Sequence, residues 1–290
     1  MSAENGTTPA ATPAATPSEL KAEMLRGAQS VATAPAPNKN RGITSDLSID
    51  EALLLHAAGW EPVDLVCGVS IASVPYGVWT WGQGEISTAS TAHNAAVQGA
   101  SNRILEECRK VHGHGVVGVR IEVEVRNHHI DVELVGTAVR PVGDASPPAL
   151  PFVSDLSARD FTLLKGAGWM PAGLAFGASF VYAPRRSAGA AMQQKTQNIE
   201  LTNFTQAMYA ARESAMERMQ QSAINVGGHG VVGVKVTEGP MSFARHAVGF
   251  TAWGTTVKLV ADVHKNITPQ VILPLDDAVV TFAAQNLRGS

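Results

Sequence analysis

The chain contains itself twice. SDLSIDEALLLHAAGWEP, from Ser45, returns as SDLSARDFTLLKGAGWMP from Ser154, 109 positions on. GHGVVGV from Gly113 returns from Gly228 with an offset of 115, and Gly136-Thr-Ala-Val returns as Gly254-Thr-Thr-Val with an offset of 118. Three blocks in the same order with small insertions between them predict one structural module, copied and fused, and self-similarity of this kind constrains architecture more than local propensity does.

The 290 residues divide accordingly. Residues 1–44, rich in Ala, Thr and Pro, read as a disordered arm, and 45–140 as the first module. A proline-rich linker (141–153), a second module (154–260) and a tail (261–290) follow. Each module opens with a short helix capped by Ser48 with Glu51, or by Ser157 with Asp160, and stopped at Gly59 or Gly168. A strand follows, with Leu65, Cys67, Val69 and Ile71 read as its inward face and Leu174, Phe176, Ala178 and Phe180 as their counterparts. Long helices are predicted over 85–111 and 200–226. Val117, Val119, Ile121, Val123 and Val125 then alternate with polar residues in a second strand, and Ile130, Val132 and Leu134 point inward from a third. The predicted fold class is α+β: two tandem β-α-β-β modules, each an antiparallel three-stranded sheet under one long helix and preceded by a short helix. Such a sheet has open edges and buries little, which predicts further assembly.

Composition narrows the function. Apolar residues make up 45% and charged residues 16%, and the net charge of −3 gives no basic face for nucleic acid. Two cysteines exclude a disulfide scaffold, and the N-terminus lacks the pattern of a signal peptide. No apolar run approaches the roughly 20 residues of a membrane span. The expectation is a cytoplasmic protein.

GHGVVGV ahead of an alternating strand, closed by GTAV, resembles the YbjQ-like family, whose members carry a heavy-metal-binding label. The match lies at Gly113–Val119 and Gly136–Val139, again at Gly228–Val234, and more loosely at Gly254–Val257. Where the family has Asp or Asn, both copies here have a Gly-His-Gly sequence. The resemblance implies a fold similar to the dodecin subunit and assembly into pentameric rings. Modules fused in pairs cannot tile a single ring of five, so it implies five chains and ten modules in two stacked rings. The two tails are then free to recruit protein partners.

Candidate ligand residues are few. Soft metals need clustered thiolates, whereas Cys67 and Cys108 align with Phe176 and Ala223 and read as core residues. His114 recurs as His229, and His128 as His246. About ten residues of strand at ~3.3 Å each separate the two histidines of one module, so they cannot share a metal there. A divalent metal is possible only where a ring gathers equivalent histidines round its axis. His112 and His114 flank a glycine, a weak chelating arrangement that Gly227 removes from the second copy. His93 aligns with Met208 on an apolar stripe and reads as a hydrogen-bonded, partly buried histidine. Tyr76, Trp79 and Trp81 form an aromatic loop without a counterpart, suited either to an interface or to stacking on a flat cofactor. No catalytic constellation occurs in both copies, so the chain reads as a non-enzymatic, homo-oligomeric scaffold or binding protein.

Overall fold

The computed structural model describes residues 43–74, 84–126, 129–143, 146, 150–183, 200–240, 246–262 and 264–265. Tyr76, Trp79, Trp81 and His128 lie outside the described residues, as do nearly all of the arm and the tail. Four helices and eight strands alternate along these segments: α1 (Ile49–Ala57), β1 (Trp60–Ser73), β2 (Gly84–Glu85), α2 (Ser87–Lys110), β3 (Gly115–Arg126) and β4 (His129–Pro141), then β5 (Phe152–Val153), α3 (Ala158–Gly166), β6 (Trp169–Tyr182), α4 (Thr202–Asn225), β7 (Gly230–Pro240) and β8 (Ala247–Leu259). The fold class is α+β.

The short helices begin as the caps predict. Ser48 Oγ accepts the Glu51 N–H at 3.3 Å while Glu51 Oε2 accepts the Ser48 N–H at 3.0 Å, a reciprocal capping box. Ser157 Oγ accepts the Asp160 N–H at 3.1 Å in α3. Gly59 and Gly168 end the two helices at positive φ.

The strands form two sheets of order β1-β4-β3-β5 and β2-β6-β8-β7, all antiparallel except the β3–β5 pair. Each sheet has one strand more than expected. Phe152–Val153, read as linker, runs parallel to the edge of β3, and Gly84–Glu85, ahead of α2, pairs with Val181 and Tyr182 in the second sheet. Each half of the chain thus lends a strand to the sheet built mainly by the other. The same bulge interrupts β3 after Val117 and β7 after Val232, with Gly118 and Gly233 at φ +65.

The expected inward face of β1 is corrected. Leu65, Cys67, Val69 and Ile71 are exposed, whereas Val66 and Gly68 on the opposite face lie under α2. A period of two cannot say which face is covered; close approach of backbone to backbone decides it. A Cβ on Gly68 would sit 2.2 Å from the Ala100 carbonyl oxygen, and one on Gly177 would sit 2.1 Å from that of Ala215. Only glycine lets each long helix lie this low on its strand.

Helix α2 lies between the two sheets. Its Ala96, Val97, Ala100 and Ile104 share one core with Val132 and Leu134 of the first sheet and with Leu174, Ala178 and Phe180 of the second. Helix α4 covers the other face of the second sheet through Ala207, Ala211, Ala215, Met219 and Ala223. A third cluster joins Leu55 and Trp60 to Phe152, Ala158 and Phe161, with Trp60 edge-on to Phe161 at 5.2 Å. The layers therefore run sheet, helix, sheet, helix, leaving the outer face of the first sheet and the outer side of α4 uncovered.

Candidate functional site

The recurring motifs do structural work. Thr137, from GTAV, accepts the Asp46 N–H at 3.1 Å. Thr255, from GTTV, accepts the Asp155 N–H at 3.0 Å and donates to Asp155 Oδ1 at 2.6 Å. Each threonine pins the Ser-Asp segment that leads into its short helix. Lys235 adds an ion pair to the buried Asp155 at 3.3 Å, and Arg120 adds one to Asp46 at 3.1 Å. This coupling of one repeated block to another escaped the sequence reading. The signal was there, since Ser-Asp and Gly-Thr both recur, but nothing in either block says that it touches the other.

The recurring histidines pack against the recurring tryptophans. His114 stands edge-on to Trp60 at 6.3 Å, and His229 to Trp169 at 6.3 Å. His229 Nδ1 also accepts the Leu259 N–H at 3.2 Å. His246 sits far from both in sequence, at a turn with φ 64, its ring 6.1 Å from that of Phe204. His112 takes φ 58 just past α2, where the second half has Gly227 at φ 72, so this position serves to end the helix. Among the described residues, no group of three or more His, Cys, Asp and Glu could hold a metal ion.

The cysteines divide. Cys108 is buried, and burial pushes its thiol up to about 12. Cys67, expected in the core, is exposed instead, because β1 turns its other face to α2. Partial burial and then the neighbouring Glu107 raise its thiol as well.

His93, expected to be partly buried and hydrogen-bonded, is fully buried instead, 5.7 Å from the Phe180 ring, and neither ring nitrogen has a hydrogen-bond partner among the described residues. Burial lowers its pKa to about 4, so the ring is neutral. It borders a groove of about 450 Å³ between the sheets that Ile121, Val123, Phe180 and Trp253 also line.

Polar contacts stitch α2 to the edge of β6. Asn94 accepts the Ala178 N–H at 3.1 Å and donates to the Ala178 carbonyl at 3.3 Å, and Ser90 Oγ accepts the Phe180 N–H at 3.1 Å. Glu85 forms a two-point ion pair with Arg218, one arm 2.8 Å long, and accepts from Ser179 at 2.8 Å. Burial pushes the Glu85 carboxyl up, but bonds from Arg218, Ser90 and Ser179, with the Arg218 charge, outweigh it and hold the pKa at about 2.

The chain is 34% identical over 256 residues to the encapsulin nanocompartment protein Rv1762c of Mycobacterium tuberculosis (strain ATCC 25618 / H37Rv), covering 85% of this chain and 97% of that protein. The chain belongs to that protein's family. The family profile YbjQ_1, described as "Putative heavy-metal-binding", matches residues 185–260, a span that holds α4, β7 and β8. That is the second of the two regions in which the GHGVVGV and Gly-Thr motifs occur. Among the described residues no helix is long and apolar enough to cross a membrane.

Proposed function

We propose that the chain is a non-enzymatic, self-assembling building block of a protein nanocompartment in the cytoplasm. The observation that carries this reading is the similarity to a nanocompartment protein over nearly its whole length. The uncovered apolar face of β1 supports it, since a strand face of Leu65, Val69 and Ile71 is costly to leave in water. In this reading 45–140 and 154–260 are copies of one YbjQ-like module joined by 141–153, and five chains bring ten modules together. The arm (1–44) and the tail (261–290) stay free to take protein partners.

A ligand-binding assembly is the second reading, with a divalent metal at gathered copies of His114, His229, His128 or His246, or a flat cofactor at Tyr76, Trp79 and Trp81. It has less support, because His114 and His229 already pack on Trp60 and Trp169. Light scattering and electron microscopy of the untagged full chain test the first reading. The expected result is a discrete closed particle many times the 30.4 kDa chain mass. A monomer at micromolar concentration overturns it. Near-stoichiometric zinc, copper or nickel in the same preparation would favour the second.

A further inference from the structure

We propose that copies of the chain join head to tail by repeating, between molecules, the junction that each molecule makes between its own two halves, a step that rests on the oligomeric reading above. Inside the molecule, α2 and the edge of β3 dock onto β6 and onto the segment that contains β5. The sequence offsets carry these four surfaces to four others. α2 corresponds to α4, β3 to β7, β6 to β1, and β5 to the stretch around Ile43. The first two lie in the second half and the last two in the first half, so the second half of one chain can dock onto the first half of the next.

Burial bears this out position by position. Phe180 is 3% exposed at the internal junction, and its counterpart Ile71 is 66% exposed. Ile86 at 5% corresponds to Leu201 at 48%. Val119 at 3% corresponds to Val234 at 42%, and Phe152 at 8% to Ile43 at 66%. On all four surfaces, a large apolar side chain is buried where the molecule supplies its own neighbour and exposed where it does not. A second copy is the one partner that presents both matching surfaces.

Most of the polar contacts have counterparts too, the exception being Asn94, whose place Tyr209 takes. Arg218 donates to the Ala178 carbonyl at 2.8 Å and pairs with Glu85 across the junction. Arg103, its counterpart, donates to the Val69 carbonyl at 2.5 Å, and the counterpart of Glu85 is Glu200. Thr205, for Ser90, already donates to Glu200 Oε1 at 2.8 Å. A neighbouring chain's Glu200 would meet Arg103 as Glu85 meets Arg218, and its Thr205 would reach the Ile71 N–H. Three positions differ in a complementary way. The exposed Arg212 replaces the buried Val97 on the helix, while Asp131 and Glu133 replace Gly249 and Thr251 on the sheet. The contact between molecules gains charges of opposite sign where the internal one is uncharged. Because both junctions run in the same direction, first and second halves alternate round one ring with an even number of modules, rather than occupying separate stacked rings.

Two variants with exposed substitutions test this in the full chain. Ile71→Arg spoils the β1 surface and leaves the α4 surface intact; Leu201→Arg does the reverse. Each alone should run as a folded monomer, and an equal mixture should give a dimer of twice the 30.4 kDa chain mass and nothing larger. Arg103→Glu should also weaken assembly, and adding Glu200→Arg should restore it. These charge variants serve where an arginine at the apolar positions prevents folding, judged by circular dichroism. Wild-type assembly that survives both Ile71→Arg and Leu201→Arg overturns the junction while leaving the oligomeric reading intact. A mixture that stays monomeric overturns the head-to-tail arrangement. A monomeric wild type removes both.

Discussion

The first strands of the two sheets share a period of two, a bend at the third residue and a glycine beneath a helix, yet they differ in what covers them. β6 is buried on both faces, by α4 on one side and α2 on the other, whereas β1 is buried on one and open on the other. The difference does not come from the apolar character of the strands, for Leu65, Val69 and Ile71 are as apolar as Leu174, Ala178 and Phe180. It comes from order along the chain. The strand of the second half has a helix of the first half to cover it, and the strand of the first half has nothing earlier in the described chain to do so. Exposure here marks a missing neighbour.

The largest effect should come from the glycines that seat the helices. Gly68→Val places a side chain where even its Cβ would lie 2.2 Å from a helix carbonyl, so α2 must move off the first sheet and press into the second. A loss of about 3 kcal/mol or more in urea unfolding is expected. Gly177→Val disturbs only the α4 layer, although its own close contact is 2.1 Å. It should cost less, because α4 has no second sheet behind it to resist the shift. Equal losses would break the comparison, showing that the sheet–helix–sheet sandwich transmits nothing.

Next comes the pair His93 and Met208, a titratable residue against an untitratable one at corresponding sites. The folded pKa of His93, about 4, lies below the ordinary histidine value of 6.5. Above the ordinary value both states are neutral and the burial adds no pH-dependent cost. As pH falls through it, the unfolded chain takes up a proton that the folded chain refuses until about pH 4. Stability should therefore decline across that window by up to about 3 kcal/mol. His93→Met, which copies the second half into the first, should flatten the profile between pH 6.5 and 4. A slope unchanged in the variant would mean that other groups cause it.

The same two pairs show what could be read in advance. Element order, helix lengths and caps were legible because capping boxes, stop glycines and apolar periods are local signals. That His93 is buried, though not how fully, followed from its alignment with a methionine. The covered face of β1 was not legible, since alternation is symmetric between faces and Gly68 reveals its role only once α2 is in place. Nor was the exchange of strands between halves. Gly84–Glu85 and Phe152–Val153 are two-residue strands whose partners lie in the other half, beyond the reach of any local pattern. The contacts of the recurring histidines were not legible either. Recurrence showed that His114 and His229 matter to the module, but not that a recurring tryptophan is what they touch.

Glu85 and Glu200 sharpen the comparison at the junction itself. The folded pKa of Glu85, about 2, lies below the ordinary carboxylate value of 4.5, so its contribution is complete above that value and lost as pH falls toward 2. The carboxylate is only partly buried, and solvent screening leaves about 1 kcal/mol. Glu85→Gln should remove that amount at neutral pH in chains kept monomeric by Ile71→Arg. Glu200→Gln in the same background should change almost nothing, because its proposed partner belongs to another molecule. Measured in the assembled wild type, the two substitutions should become alike.

The smallest expected effect separates the two short helices. Ser48→Ala removes one arm of a reciprocal box, the bond from the Glu51 N–H, while the backbone N–H at position 48 still donates to the Glu51 carboxylate at 3.0 Å. Ser157→Ala removes a single bond to the backbone, since Asp160 is one methylene shorter than Glu51 and its carboxylate takes the Ser157 hydroxyl at 2.8 Å instead of the cap N–H. Each change should cost about 1 kcal/mol, with Ser157 the larger by a few tenths, because α1 keeps the Glu51 arm and α3 has no second arm to keep. Packing works the other way. α3 is held by Ala158 and Phe161 in the aromatic cluster with Trp60, whereas α1 contributes only Leu55 to it. Hydrogen exchange should therefore show the first turn of α1 opening more readily after Ser48→Ala than that of α3 after Ser157→Ala. The reverse order would mean that the cap, rather than the tertiary anchor, decides how firmly each short helix is held.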